Sequence, residues 1–509
     1  MPIEAPFYPI VYIRGYAMSM SEIEDTVADP YMGFNLGSTK IRQRWDKKIV
    51  KYFFESPLIR LMKEHGYVDI YDDGDERSAV GAKDGKSIWI FRYYEESSGD
   101  LGTGKVQDIE FFARRLGELV ERMRDELCGT LAGAAGPSGS TDAIRKARKA
   151  FKIHLVAHSM GGLIARCYLQ NIAAGKETPV DRVFTYGTPH GGIDLRGLGN
   201  IPSFVKFNEI DTFSESRMRG YLKIPKSKPV TSLNGAFDES RFFCLVGTDY
   251  KDYDAAKGLA QRAVGPMSDG LVMIQNAAVD GAPRAFVHRA HSGHYGIVNS
   301  EEGYQNLKRF LFGNVRVEAL LEITELSLPP NVQKQVDAGK KVKASYHAEV
   351  VARVRGKRWA LHRRTVDEES AIFIPFEKVK AQDPVHLASA FLMRSERVDK
   401  SAAGLGFSLD LGVVVPEYEI DGALFLKQHF EGGYLYREKI NLEIFWENDE
   451  PRLRYGFDSK QPNQTSRSAT VAKIEENGGF VGYEFRIPVA QNTRPGMKGT
   501  LILRSFGWG

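Results

Sequence analysis

The stretch Lys152-Ile153-His154-Leu155-Val156-Ala157-His158-Ser159-Met160-Gly161-Gly162-Leu163-Ile164-Ala165-Arg166 decides the fold. An apolar run ending in a small residue predicts a short buried strand. Ser159 then falls on a sharp turn, and the small residues after it open a helix. This is the layout of a nucleophile elbow, in which the serine takes a strained φ/ψ and the strand and helix backbones nearly touch. Small residues are therefore needed two before and two after the serine, and Ala157 and Gly161 stand there. The pentapeptide alone is a weak signal, and the strand before it and the helix after it give it weight.

Working outward, strands and helices alternate on both sides of the elbow. Pro9–Ile13 reads as a buried strand ending in the Arg14-Gly15 loop, and Ser87–Tyr94 as another. Ser56-Pro57-Leu58 opens a helix with an N-cap and a proline at its first position, and Gly66 closes it. Apolar residues at helical spacing from Ile109 to Met123 predict a helix over about 106–127, and Gly129 to Thr141 reads as a surface loop. Arg182–Tyr186, Arg241–Gly247 and Arg284–His288 continue as strands, and Ser300–Phe312 as the last helix before Gly313. Such alternation predicts an α/β fold with a mostly parallel, doubly wound sheet covered on both faces. Residues 19–51 read as an insertion with some helix. Residues 193–228 read as a second insertion, placed to cover the carboxyl ends of the strands as a lid.

After Gly313 the pattern becomes period-2, as in Val342–Val354 and Ile440–Trp446, with turns such as Arg355-Gly356-Lys357 between runs. The expected organisation is an α/β domain over 1–313 and a β-rich, sandwich-like domain over 314–509.

Composition narrows the class. The chain has 509 residues, 42% hydrophobic, with 69 basic against 65 acidic residues and a net charge of +4. That imbalance argues for neither nucleic-acid binding nor electrostatic docking of the whole molecule. Cys128, Cys167 and Cys244 are too few and too far apart for a disulfide framework or a metal site, so no cofactor or metal is expected. The amino-terminal residues lack a signal-peptide pattern and no apolar run is long enough to span a bilayer, which predicts a cytoplasmic protein of undetermined oligomeric state.

A serine hydroxyl needs a base to take its proton and an acid to orient that base. Downstream of Ser159, Asp269 lies in the turn Ser268-Asp269-Gly270-Leu271-Val272, with Asp249 as its competitor. His294 lies in Gly293-His294-Tyr295-Gly296, with His291 only three residues before it. Asp269 and His294 are the preferred pair. An oxyanion would be met by two backbone N–H groups, those of Met160 and of Tyr16 in the loop after Pro9–Ile13. His158 reads as a strand-end structural residue turned away from Ser159, and His190 as packing behind the elbow.

At these residues the chain resembles the α/β-hydrolase lipases and esterases, in particular bacterial lipases with an Ala-His-Ser-Met-Gly box. Tyr186-Gly187-Thr188-Pro189-His190-Gly191-Gly192 resembles a strand-end motif of triacylglycerol lipases and of GPI-inositol deacylase-like lipases. The resemblance spans roughly Pro9 to Gly313. It implies Ser159 as nucleophile, Asp269 as acid, His294 rather than His291 as base, and Tyr16 with Met160 as oxyanion hole. It also implies a serine carboxylic-ester hydrolase acting on lipid or other acyl esters, with an amidase, a thioesterase or a non-catalytic scaffold as alternatives. Arg14 departs from the histidine usual before the oxyanion-hole glycine. The β domain matches no lipase module, and contact with a membrane is the role it would add.

Overall fold

The computed structural model describes residues 4–17, 20–43, 46–72, 75–76, 85–133, 141–193, 211–252, 265–398, 400, 404–421, 427–476 and 480–509. The chain divides into two compact units, one of residues 1–284 with 289–311, the other of 285–288 with 312–509.

The first unit is built on strands whose residues have nowhere to go but the interior. In β1 (Ile10–Ile13) all four side chains are fully buried, as expected of a strand sandwiched between helical layers. Ahead of the elbow, β2 (Ser38–Gln43) and β3 (Ile49–Phe54) pair with each other as a separate antiparallel ribbon. β4 (Val68–Asp69) follows, then β5 (Tyr71–Asp72) and β6 (Asp75–Glu76) as a second small ribbon, then β7 (Ser87–Ile90). β8 (Ile153–His158), β9 (Val180–Tyr186) and β10 (Phe242–Gly247) complete the unit's own strands, and β11 (Arg284–Val287) belongs to the second unit from Ala285 on.

The central sheet has seven strands in the order β11-β10-β9-β8-β1-β7-β4. Its pairs β4 with β7, β7 with β1, β1 with β8, β8 with β9 and β9 with β10 are all parallel. Chain order thus reverses direction across the sheet at β1 and β8, the kind of switch point at whose carboxyl end open α/β sheets bind ligands. This is the α/β-hydrolase architecture.

The helix expected at Ser56 forms over Pro57–His65. The Ser56 hydroxyl accepts from the Ile59 N–H, and Gly66 takes the left-handed conformation at φ 70°. Three local expectations are corrected. The strand expected to run to Tyr94 stops at Ile90, and Tyr93–Ser97 coils into a 3-10 turn. The helix expected to end near residue 127 runs to Gly133, because extending a helix already formed is far easier than starting one; Thr141–Ala150 is helical as well. The insertion over 19–51 holds the helix Met20–Ala28, but its second half is the β2–β3 ribbon.

The second unit is antiparallel. A five-stranded sheet runs in the order 385–392, 315–327, 496–507, 480–491, 470–476, and an eight-stranded sheet is built around the long strands 405–421 and 427–447. Inward residues of both sheets, among them Leu321, Leu387, Leu501, Val413, Leu442 and Leu453, form one buried cluster, so the unit is a β-sandwich.

Cys128, Cys167 and Cys244 are all buried free thiols. Among the described residues, no helix is long and apolar enough to cross a membrane.

Candidate active site

β8 ends at His158, and Ser159 turns the chain into the helix Met160–Cys167. Ser159 has φ 53° and ψ −125°, a conformation that L-residues avoid and that persists only where the surroundings over-determine it. Those surroundings are visible. The Ser159 N–H donates to the Tyr186 carbonyl (2.9 Å), and its carbonyl accepts from the Thr188 hydroxyl (2.9 Å) and the Gly162 N–H (3.0 Å). A Cβ on Gly161 would overlap the Ile13 and Arg14 carbonyls, and one on Gly162 would overlap the Thr188 side chain. Gly161 lets the helix start close to the end of β1, and Gly162 lets it pass the Thr188 side chain beyond β9.

Asp269 sits at the first corner of its turn. Its Oδ1 accepts from the N–H groups of Leu271 (3.0 Å) and Val272 (2.7 Å), which fixes the carboxylate plane and leaves Oδ2 to point elsewhere. Oδ2 accepts from His291 Nδ1 at 2.8 Å, and His291 Nε2 stands 3.0 Å from Ser159 Oγ. The pairing assigns the tautomer, with Nδ1 protonated and Nε2 free to accept from the serine hydroxyl. Ser159, Asp269 and His291 are all buried.

The expectation for the histidine is therefore corrected. The structure brings Ser159 and Asp269 together with His291, while His294 is exposed on the outer side of the turn, where its carbonyl accepts from the Thr39 N–H. The reason is local. The His291 N–H bonds to the Asp269 carbonyl (2.9 Å), and the chain then folds back through Gly293 at φ 84°, closed by Gly296 N–H to the Gly293 carbonyl. His294 is carried to the far side of that fold. His291 lies four residues past the end of β11, nearer the strand than His294.

Asp249 Oδ1 accepts from the N–H groups of Lys251 and Asp252 and caps its own turn. Gly187, at φ 51°, and Gly247 make room beneath the pair. A Cβ on Gly187 would lie 2.9 Å from Asp269 Oδ2 and 3.2 Å from His291 Nδ1, and one on Gly247 would lie 2.7 Å from the Asp269 Cβ.

His158 does turn away from Ser159. Its Nε2 lies 3.0 Å from the His291 carbonyl, and its ring is 4.9 Å from that of His291. Burial, with His291 adding to it, holds its pKa well below the usual histidine value, so it is neutral and donates to that carbonyl. His190 donates through Nε2 to the Thr185 hydroxyl (3.1 Å), which itself donates to the Phe243 carbonyl. Behind both lies Arg166, fully buried, with its guanidinium on the carbonyls of His190, Val230 and Ser232 and on Gln170. Burial pushes its pKa down to about 10.

The loop after β1 approaches the serine at Gly15, where a Cβ would lie 2.7 Å from the Ser159 Cβ. The Gly15 carbonyl accepts from the hydroxyls of Tyr93 and Tyr94, each at 3.1 Å, and Tyr94 also accepts from the Ala17 N–H. In a planar trans peptide the N–H points opposite to the carbonyl, so the Tyr16 N–H is turned away from these tyrosines. Arg14 bonds the Met32 carbonyl and leaves the loop's inner side to Gly15. Met160 is the first residue of its helix, where N–H groups lack intrahelical partners.

Beside Tyr16 and Met160 opens a cavity of about 570 Å³. Ile23, Val106, Ile109, Phe112 and Phe213 make it apolar, and Asp108 and Arg217 are its charged residues. Of the insertion expected as a lid, residues 194–210 lie outside the described residues. From Asp211 onward it packs down: Phe213 meets the Tyr16 ring edge-on, and Met218, Tyr221 and Leu222 are buried.

Neither the protein-family models nor the curated proteins contain a match to this chain. Among solved structures, phospholipase PlaB from Legionella pneumophila is similar over 84% of this chain and 91% of its own, at 12% identity and a TM-score of 0.32. The lin2722 product of Listeria innocua is similar over 60% of this chain and 93% of its own, at 14% identity and a TM-score of 0.26. The Tle4–Tli4 complex is similar over 59% of this chain and 66% of that one, at 13% identity and a TM-score of 0.21. Overlaps at these scores leave the chain's own geometry to carry the functional reading.

Proposed function

We propose that this chain is a serine ester hydrolase that works through an acyl-enzyme on Ser159, with His291 as base and Asp269 as the acid that orients it. The observation that carries the reading is the hydrogen-bonded series Ser159–His291–Asp269, at 3.0 and 2.8 Å, mounted on a strained turn.

In the first half-reaction Ser159 Oγ forms a bond to the carbonyl carbon of the ester while its proton passes to His291 Nε2. The N–H groups of Tyr16 and Met160 meet the negative charge that develops on the carbonyl oxygen. The C–O bond to the alcohol then breaks, and the alcohol leaves with the proton from His291. Water repeats the sequence in the second half: His291 takes its proton, the oxygen attacks the acyl carbon, and the carboxylic acid is released as Ser159 recovers its hydrogen. Asp269 holds Nδ1–H throughout and stabilises the imidazolium.

The apolar cavity beside Tyr16 and Met160 fits the acyl part of the substrate and favours a hydrocarbon chain, as in a lipid ester, over a small polar acid. Fluorophosphonate labelling tests the chemistry. The full chain should be labelled, Ser159→Ala and His291→Ala should not, and His294→Ala should react like the parent. Loss of labelling in His294→Ala with retention in His291→Ala would overturn the assignment of the base, and an unlabelled parent would overturn the hydrolase.

A further inference from the structure

The β2–β3 ribbon pairs apart from the central sheet, and among the described residues one of its faces has no apolar layer over it. Opposed residues of an antiparallel pair share a face, so Thr39 with Phe53, Ile41 with Lys51 and Gln43 with Ile49 lie on one side. On that side Phe53 is 76% exposed, Ile49 67% and Ile41 44%. Large apolar side chains clustered at such exposure mark an interaction surface.

Charge says what the surface meets. Residues 38–54 carry six basic residues, Lys40, Arg42, Arg44, Lys47, Lys48 and Lys51, against the single acid Asp46. This short segment thus holds a net +5 in a chain whose total is +4. Apolar side chains flanked by lysines match a layer with hydrocarbon beneath and negative charge on top. We infer that the β2–β3 ribbon is a docking surface for an anionic phospholipid interface.

The base of the ribbon is tied to the histidine loop. The Thr39 N–H donates to the His294 carbonyl (3.2 Å), the Thr39 carbonyl accepts from Arg289 (3.4 Å), and Lys40 pairs with Glu302. A lipid surface gripping Ile49 and Phe53 is therefore held next to the loop that carries His291. Docking itself involves no bond-making, and it stands whether or not Ser159 turns over an ester.

Flotation of the full-length Ser159→Ala chain with vesicles tests the inference, because that variant leaves the lipid intact. Binding is expected to vesicles of phosphatidylcholine with a quarter phosphatidylglycerol, and to fall away in 0.5 M salt on the order expected for screened charges. Lys47→Glu/Lys48→Glu should weaken it by roughly a hundredfold or more, and Ile49→Ser/Phe53→Ser by roughly tenfold or more. Melting temperatures close to the parent's show that the variants are folded. A chain that stays unbound on anionic vesicles overturns the inference. So does a concentration-dependent dimer broken by Ile49→Ser/Phe53→Ser, which would give the face to a second copy. Hydrolysis of a soluble short-chain ester by Ser159-containing versions is a separate readout, expected to be unchanged by either pair of substitutions, and its absence would bear on the hydrolase alone.

Discussion

Gly187→Ala probes the reading of the site most sharply, because the perturbation is one methyl group at a known place. The new Cβ would stand 2.9 Å from Asp269 Oδ2 and 3.2 Å from His291 Nδ1. Ordinary contact requires the oxygen to retreat by about half an ångström. The carboxylate cannot swing aside, since Oδ1 is held by Leu271 and Val272, so the 2.8 Å bond to His291 must lengthen. Misplacing a catalytic pair on this scale costs on the order of a hundredfold in kcat, about 2.7 kcal/mol of transition-state stabilisation. Gly187 also has φ 51°, so alanine there costs about 1–2 kcal/mol of stability for backbone reasons alone. Gly66→Ala separates the two effects, because Gly66 has φ 70° with nothing within 4 Å of its would-be Cβ. Both variants should melt at lower temperature, and only Gly187→Ala should lose kcat, measured on p-nitrophenyl esters with KM little changed. A Gly187→Ala enzyme within threefold of the parent kcat would refute the role given to the Asp269–His291 pair.

Arg166→Met should cost about 3 kcal/mol in urea unfolding, since it strands the buried carbonyls of His190 and Val230 and the half-buried one of Ser232; a change under about 1 kcal/mol would show that these acceptors find other partners. Stability should also fall in mild acid through His154. This ring is fully buried in β8 with Nε2 on the Pro6 carbonyl, and burial, aided by Arg182, lowers its pKa to about 4. A folded-state pKa below the unfolded value of about 6.5 means that the unfolded chain binds the proton first. The stabilisation is thus complete above pH 6.5 and is lost as pH falls toward 4, by up to about 3 kcal/mol. His154→Gln should flatten the dependence of the melting temperature on pH between 7 and 5, and an unaltered profile would refute the linkage.

What could be read from the residues alone follows from the range of the forces involved. Strands such as Ile10–Ile13, the helix capped by Ser56 and the elbow at Ser159 are announced by their own neighbours, and the sheet follows from their alternation. The glycine before His294 and the helix after it are local features, and they point to His294 over His291. The choice between the two is made by Asp269, more than twenty residues away, which takes the His291 N–H and sets where the turn folds. The β2–β3 ribbon escapes a local reading for a related reason. Apolar and basic residues occur on both of its faces, so neither a helical nor a two-residue period stands out over 38–54. Over Gly129–Gly133 the glycines are a local signal for a loop, and the helix already running into them overrides it.

The three cysteines give the molecule a built-in reporter. Cys128, Cys167 and Cys244 all lie in the first unit, and burial raises each thiol's pKa, that of Cys167 to about 12. Each is therefore shut off from a thiol reagent both by access and by the scarcity of thiolate. Their reaction with such a reagent times the opening of the α/β unit, and because the sandwich has no cysteine, its unfolding leaves that clock untouched. Thiol labelling run beside a spectroscopic melt would thus tell the two units apart in the intact chain.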